Sequence, residues 1–359
     1  MPADKGLDAL RTSAALGDGS HVACVRVAGA SAFEAINRIC PRELFLRDGQ
    51  ILHTLLLRED GRPLADVYVC ADDREFLLLA EGISGDALVE HVRTSAPVGA
   101  DLAVTNVSKT HALLSLDGPY AWEVFAELAG PEVIGQPYMT FFRDDARTTF
   151  RVGKTGEYGY YFLVPGEAAD GLRAALHDRG SAFDLETADL QALDQCALEN
   201  WFFNIRREGR EDVTPIELQL QWRVSYRKDY VGSVALAARR GHTTHRIVQC
   251  AGATELAAGD PVTHGERTIG RLINAGFSQC RGDWVGVALL ENAYSHAGVA
   301  AYAAMHGTTA VPIRTLTAPV INNRSLFVNP QLHSYLTRAE VQFPPLVAPG
   351  SSCASPTGR

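Results

Sequence analysis

The stretch Ala192–Leu236, ALDQCALENWFFNIRREGREDVTPIELQLQWRVSYRKDYVGSVAL, constrains this chain more than any other, because helical periodicity, a polar turn and a proline-led restart follow without a gap. From Leu190 to Phe203, the residues Leu190, Leu193, Cys196, Ala197 and Trp201 recur at three- and four-residue spacing, the period of a helix with one buried face. Asp194 and Glu199 fall off that face. The run Arg206, Arg207, Glu208, Gly209, Arg210, Glu211, Asp212 then breaks the period and leads to Thr214 and Pro215. Proline is preset near helical φ and threonine can accept from the first amides of a helix. A second short helix capped by Thr214 is therefore predicted.

Upstream, a strand over His21 to Val27 leads into a helix from Ser31 to Ile39, with Ser31 as N-cap. Ile51 to Leu57 and Ala65 to Val69 flank a turn of Arg58, Glu59, Asp60, Gly61, Arg62 and Pro63 and read as a hairpin. A strand at Glu75 to Ala80, a helix at Gly85 to Ser95 and a strand at Val104 to Asn106 follow. Ala121, Val124, Phe125 and Leu128 then share one helical face. Strand runs surround the glycine-bearing loop Arg151 to Gly159, and Gly166 to Gly180 reads as a helix. Between Arg246 and Ile313, short β runs alternate with turns at the spacing of a small β-barrel or jelly-roll-like domain.

The length of 359 residues allows two or three cores. We divide the chain into residues 1–243, a first region of two interleaved subdomains, residues 244–335, a C-terminal β-barrel domain, and residues 336–359, a tail rich in proline, glycine and serine that is expected to be disordered. No apolar run is long enough to span a bilayer, and the first residues lack the apolar core of a signal peptide, so a cytoplasmic protein without a membrane partner is expected. A net charge of −9 argues against nucleic acid as a partner, since phosphate neutralisation requires a basic face. Seven cysteines without a CxxC pair suggest neither a zinc ribbon nor a closed disulfide framework, and no metal site is expected.

Several of these pieces, taken in order, resemble the aminomethyltransferase (glycine cleavage T-protein) family, whose pattern runs ARD, RLEAG, TPxE, W and KxDFxG. The matching residues are Ala192 to Asp194, Leu198 and Glu199, Thr214 to Glu217, Trp222, and Arg227 to Gly232. The loop Arg151 to Tyr161 is similar to the family's RTGYTGEDGFE. The resemblance implies an α+β, multi-domain, T-protein-like folate-binding fold, with antiparallel sheets and flanking helices plus the C-terminal barrel. It also implies tetrahydrofolate as cofactor and places Asp66 on the family's catalytic aspartate, where a fixed negative charge can stabilise developing iminium charge. His53 stands where the family has a tyrosine and could carry protons with Asp66. Absence of the longer N-terminal segment seen in the family is expected to open the pocket.

The candidate pocket departs from the family's pattern. Tyr161 occupies the place of the glutamate that grips the pterin ring, and Leu193 and Ala197 replace two arginines. A phenol cannot make the bidentate charged bond, at a cost of about 1–3 kcal/mol for each pterin donor left unpaired. Candidate cofactor-binding residues are therefore Tyr161, Glu157, Glu199, Trp201 and Arg206, with the last able to compensate for lost cations or simply to belong to a solvated turn. The expectation is a tetrahydrofolate-dependent one-carbon transferase acting on a small amine in specialised metabolism. The alternatives are a folate-dependent demethylase acting on O, N or S, a noncatalytic member, and a member that no longer uses folate. The KGCYxGQE motif of iron-sulfur maintenance relatives is absent from Arg227 to Ser233, which counts against the noncatalytic reading.

Overall fold

The computed structural model describes residues 4–73, 75–348 and 350–352. Its centre is two sheets packed face to face. The first has five antiparallel strands in the order Ile51–Leu57, Pro63–Asp72, Glu75–Glu81, Val22–Ala28 and Ala103–Asn106. One face packs Val67, Val69 and Leu78 on the helices Ala32–Ile39 and Gly85–Ser95. Alternation along the same strands turns Tyr68, Cys70 and Leu79 to the other face, where they meet Phe150, Tyr161 and Leu163 of the second sheet. This inter-sheet layer carries the candidate site at one end.

The second sheet has six strands in the order Glu186–Ala188, Ala15–Asp18, His111–Asp117, Gly159–Pro165, Thr148–Phe150 and Phe141–Arg143, and only its first pair is parallel. Its outer face is covered by the helices Ala121–Ala129 and Ala169–Gly180. The strand Ala15–Asp18 and the helix Lys5–Thr12 lie in a segment to which the sequence reading assigned no element. The helix is legible in hindsight from Asp4, whose carboxylate accepts from Leu7 N–H at 3.1 Å.

Strands His245–Gly252, Asp283–Glu291, Arg267–Ser278, Pro261–His264, Tyr302–His306 and Thr309–Leu316 close into a six-stranded antiparallel barrel. The fold is thus α+β with a C-terminal barrel, and a closed one. Among the described residues no helix is long and apolar enough to cross a membrane.

Three expectations are corrected. The helix from Leu190 stops at Glu199 rather than Phe203, because Trp201 takes a left-handed backbone and Phe202 N–H donates to Ala197 C=O at 2.9 Å, a Schellman closure. Thr214 caps no helix: its backbone N–H and its hydroxyl both donate to Glu217, and the chain makes one turn before Gln219 turns left-handed. The tail expected to be unstructured from residue 336 is held through Ser352, since Arg281 donates to Ser351 C=O at 2.8 Å and Ser352 Oγ to Arg281 C=O at 2.9 Å. Residues 353–359 of that tail lie outside the described residues.

Candidate active site

Register places the site. In the hairpin, His53 lies opposite Tyr68 and Leu55 opposite Asp66, and Asp66 in turn lies opposite Glu81. His53, Asp66 and Glu81 therefore share the inter-sheet face, with His53 and Asp66 on the diagonal that long side chains can span. His53 Nε2 sits 2.8 Å from Asp66 Oδ1. Two cations from distant segments complete the shell of Asp66: Arg223 Nη1 donates to Oδ1 at 2.9 Å and Lys154 Nζ to Oδ2 at 3.2 Å. Lys154 also pairs with Glu81, and Arg206 bridges Glu81 and Asp194.

Asp66 is only 3% exposed. Burial alone would raise its pKa, but His53, Lys154 and Arg223 outweigh burial and hold the carboxyl well below the usual range. Burial lowers the His53 pKa, and Arg223 and Lys154 add to that against the pull of Asp66, so the imidazole is neutral at pH 7. The tautomer that donates Nε2–H to Asp66 leaves the lone pair on Nδ1. For Lys154 the burial penalty is overcome by Glu81 and Asp66, which raise its pKa and keep it charged.

The partners of Asp66 face two spaces, His53 and Arg223 one and Lys154 the other, while Asp66 itself lines neither. On one side a cleft of about 490 Å³ is lined by His53, Arg223, Arg42, Trp201, Trp222 and Tyr138, among others. On the other side, Tyr161, Lys154, Glu81, Arg206 and Asp117 enclose only about 20 Å³, room for roughly one water. The tight loop beside this second space uses glycine for closeness to Asp117: a Cβ at Gly153 or Gly159 would meet Asp117 Oδ1 at 2.8 or 2.7 Å. Burial pushes Asp117 up to about 7.

The sequence candidates thus separate. His53 and Asp66 come together, Trp201 joins His53 on the cleft wall, and Tyr161 and Arg206 line the smaller space. Glu157 and Glu199 are spent elsewhere. Glu157 accepts from Arg324 and Ser325 N–H at 3.0 and 2.7 Å, and Glu199 pairs with buried Arg11 at 2.6 Å and accepts from Ser278 at 2.7 Å. Both side chains are fully buried, so neither presents a free carboxylate to a cofactor.

Sequence reasoning missed Lys154, Glu81, Arg223 and Arg42. The available signals were a lysine between Gly153 and Gly156, a carboxylate ending an apolar strand, and an arginine directly after Trp222.

A pterin does not fit against Tyr161. The space is too small by several waters, and of its three carboxylates Glu81 is paired with Lys154 and Arg206, Asp194 is paired with Arg206, and Asp117 accepts from the Thr155 hydroxyl at 3.3 Å. Tyr161 itself is packed in the inter-sheet core, where burial raises its phenol pKa well above the ordinary value. Only the cleft beside His53 has room for a small molecule among the spaces next to Asp66.

Comparison with known proteins places the chain. The GCVT N-terminal domain family matches residues 3–228. The aminomethyltransferase of Mycobacterium tuberculosis H37Rv is 30% identical over 295 residues, 79% of either chain. That of Thermotoga maritima is 26% identical over 291 residues, again 79% of either chain. The glycine cleavage system aminomethyltransferase T from Bartonella henselae superposes with a TM-score of 0.79 at 23% identity, covering 89% of this chain and 90% of that one, a likeness of fold.

Proposed function

This chain belongs to the aminomethyltransferase family, an enzyme family of folate-binding transferases, and we propose that it moves a one-carbon unit to or from a small amine in the cleft beside His53. The unit would be of methylene, methyl or formimidoyl type, and the setting a specialised reaction rather than glycine cleavage. The observation that carries this reading is a neutral histidine, backed by a buried carboxylate, opening on the cleft that has room.

In this reading His53 Nδ1 takes the proton from the incoming ammonium, freeing its lone pair for attack. Asp66 accepts Nε2–H throughout, fixes the ring and stabilises the imidazolium as it forms. Two cations already bond to Asp66, so its charge acts through His53 more than on a distant carbocation. Arg223 and Lys154 keep that carboxylate ionised, and Tyr138, Trp201 and Trp222 screen the cleft from water. Tetrahydrofolate, which the family binds in general, has no seat against Tyr161, so no step is derived through it.

The test is transfer from a set of one-carbon donors, 5,10-methylenetetrahydrofolate among them, to a panel of small amines, followed by mass spectrometry. Transfer should fall by about 10²–10⁴-fold in His53→Gln and in Asp66→Asn. Unchanged transfer in both variants would remove the proposed centre.

A further inference from the structure

Backbone strain gathers around one space. Five non-glycine residues among those described have positive φ, and two of them, Asp73 and Asp184, are aspartates, which tolerate that region. The other three, Met139 at 63°, Trp201 at 63° and Gln219 at 55°, all line the cleft beside His53. Strained backbone held by surrounding structure concentrates at ligand sites.

The cleft's charge points to the ligand's sign. Its only charged side chains are Arg42 and Arg223, and no carboxylate lines it among the described residues. Arg223 spends Nη1 on Asp66, while its Nε is buried without a hydrogen-bond partner. Arg42 donates to His53 C=O at 3.1 Å and makes no ion pair among the described residues. Burial lowers the Arg42 pKa, and the neighbouring Arg223 adds to that effect, as expected for a cation short of a counter-charge.

The cleft's walls point to the ligand's shape. Trp222 is 59% exposed at the rim, and both guanidinium groups lie over its ring, at 5.9 Å for Arg42 and 4.8 Å for Arg223. Trp201, Phe202 and Tyr138 supply further flat surface.

We propose that this cleft takes a planar acid: a carboxylate on Arg42, with Arg223 beside it, and a flat ring against Trp222 and Trp201. Resting on the reading of His53 as the proton acceptor, this makes the substrate an amine that also carries a carboxylate and an aromatic or conjugated plane. The carboxylate anchors one end and the amine reaches His53. A neutral amide of the same shape lacks the charge that the guanidinium fork needs.

Calorimetry with three probes tests the site: benzoate, benzamide as the neutral isostere, and cyclohexanecarboxylate as an acid without a flat ring. Benzoate should bind about tenfold or more tightly than either. Arg42→Gln should abolish the preference over benzamide and Arg42→Lys restore part of it, while Trp222→Ala should abolish the preference over cyclohexanecarboxylate. Both side chains stand at the rim, and melting curves check that each variant is folded. Equal binding of the three probes, no binding at all, or a preference that survives Arg42→Gln would overturn the proposal. Parallel transfer assays with neutral and carboxylate-bearing amines separate the two ideas. Benzoate selectivity without transfer to any amine keeps the site and removes the transferase reading. Efficient transfer to neutral amines without benzoate selectivity does the reverse.

Discussion

Lys154 holds two buried carboxylates, Asp66 and Glu81, within reach of one ammonium. Removing it leaves a buried anion pair short of a cation, so Lys154→Met should cost about 3–5 kcal/mol at pH 7. Without the lysine both carboxyls gain a reason to bind protons when folded, and the deficit measured by urea melts should shrink toward pH 5. Activity should titrate on His53. Its neutral form is the acceptor and its pKa is lowered from 6.5, so kcat/KM should rise with pH through a value below 6.5 and be level by neutrality. Two further acids work in the opposite sense on stability. Burial raises Asp117 to about 7, and burial likewise raises Glu208 to about 7. Each binds its proton more tightly folded than unfolded, so the stability it contributes is present below the ordinary carboxylate range and lost as pH rises through about 7. Asp117→Asn should flatten that decline in urea midpoints. Of these residues only Asp66 and His53 were named from the sequence, through the family resemblance, and a single hairpin brings the two together. Lys154 and Arg223 reach Asp66 across 88 and 157 residues, a proximity that no local period encodes.

The elements around the cleft carry their own signatures. Trp201 sits at the position after the helix Leu190–Glu199 where a Schellman closure favours glycine. Trp201→Gly and Trp201→Ala lose the same ring, yet the glycine variant should be more stable by about 1 kcal/mol, because alanine keeps the left-handed penalty. A lower midpoint for the glycine variant would contradict that. Gly82 ends the strand that carries Glu81, has φ of 88°, and would place a Cβ 2.5 Å from Ile205. Gly82→Ala should push the loop that carries Arg206 off Glu81, with a loss of about 1–3 kcal/mol. The hairpin, the barrel strands and the helices Ala32–Ile39, Gly85–Ser95, Ala121–Ala129 and Ala169–Gly180 were readable from period and turn residues, whereas Lys5–Thr12 was not read. The end of the helix at Glu199 was not, since it depends on a tryptophan accepting a conformation that its own chemistry disfavours.

At the scale of the molecule, the C-terminal segment fastens the layers. Tyr335 is buried with Tyr120 and Phe183, its N–H donates to Glu123 at 2.7 Å, and its hydroxyl donates to Asp184. Tyr335→Ala should cost about 3 kcal/mol or more, and a chain cut after Val320 should melt lower and be cleaved faster by protease. Composition hid the order of the part after residue 335, whose proline and glycine content is that of a loose tail while anchors such as Ser351 and Ser352 decide its placement.

Arg223, Asp66, Lys154, Glu81, Arg206 and Asp194 form a single string of alternating sign, three cations against three anions. A string of that kind constrains how the protein can change. No link can be exchanged alone without stranding a charge in the protein, so any opening of the second space has to proceed by paired replacements. Tyr161→Glu by itself would add a fourth anion to a balanced set and should yield an unstable protein rather than a working pterin pocket. Among relatives, lysine at position 154 and arginine at position 206 should be gained and lost together.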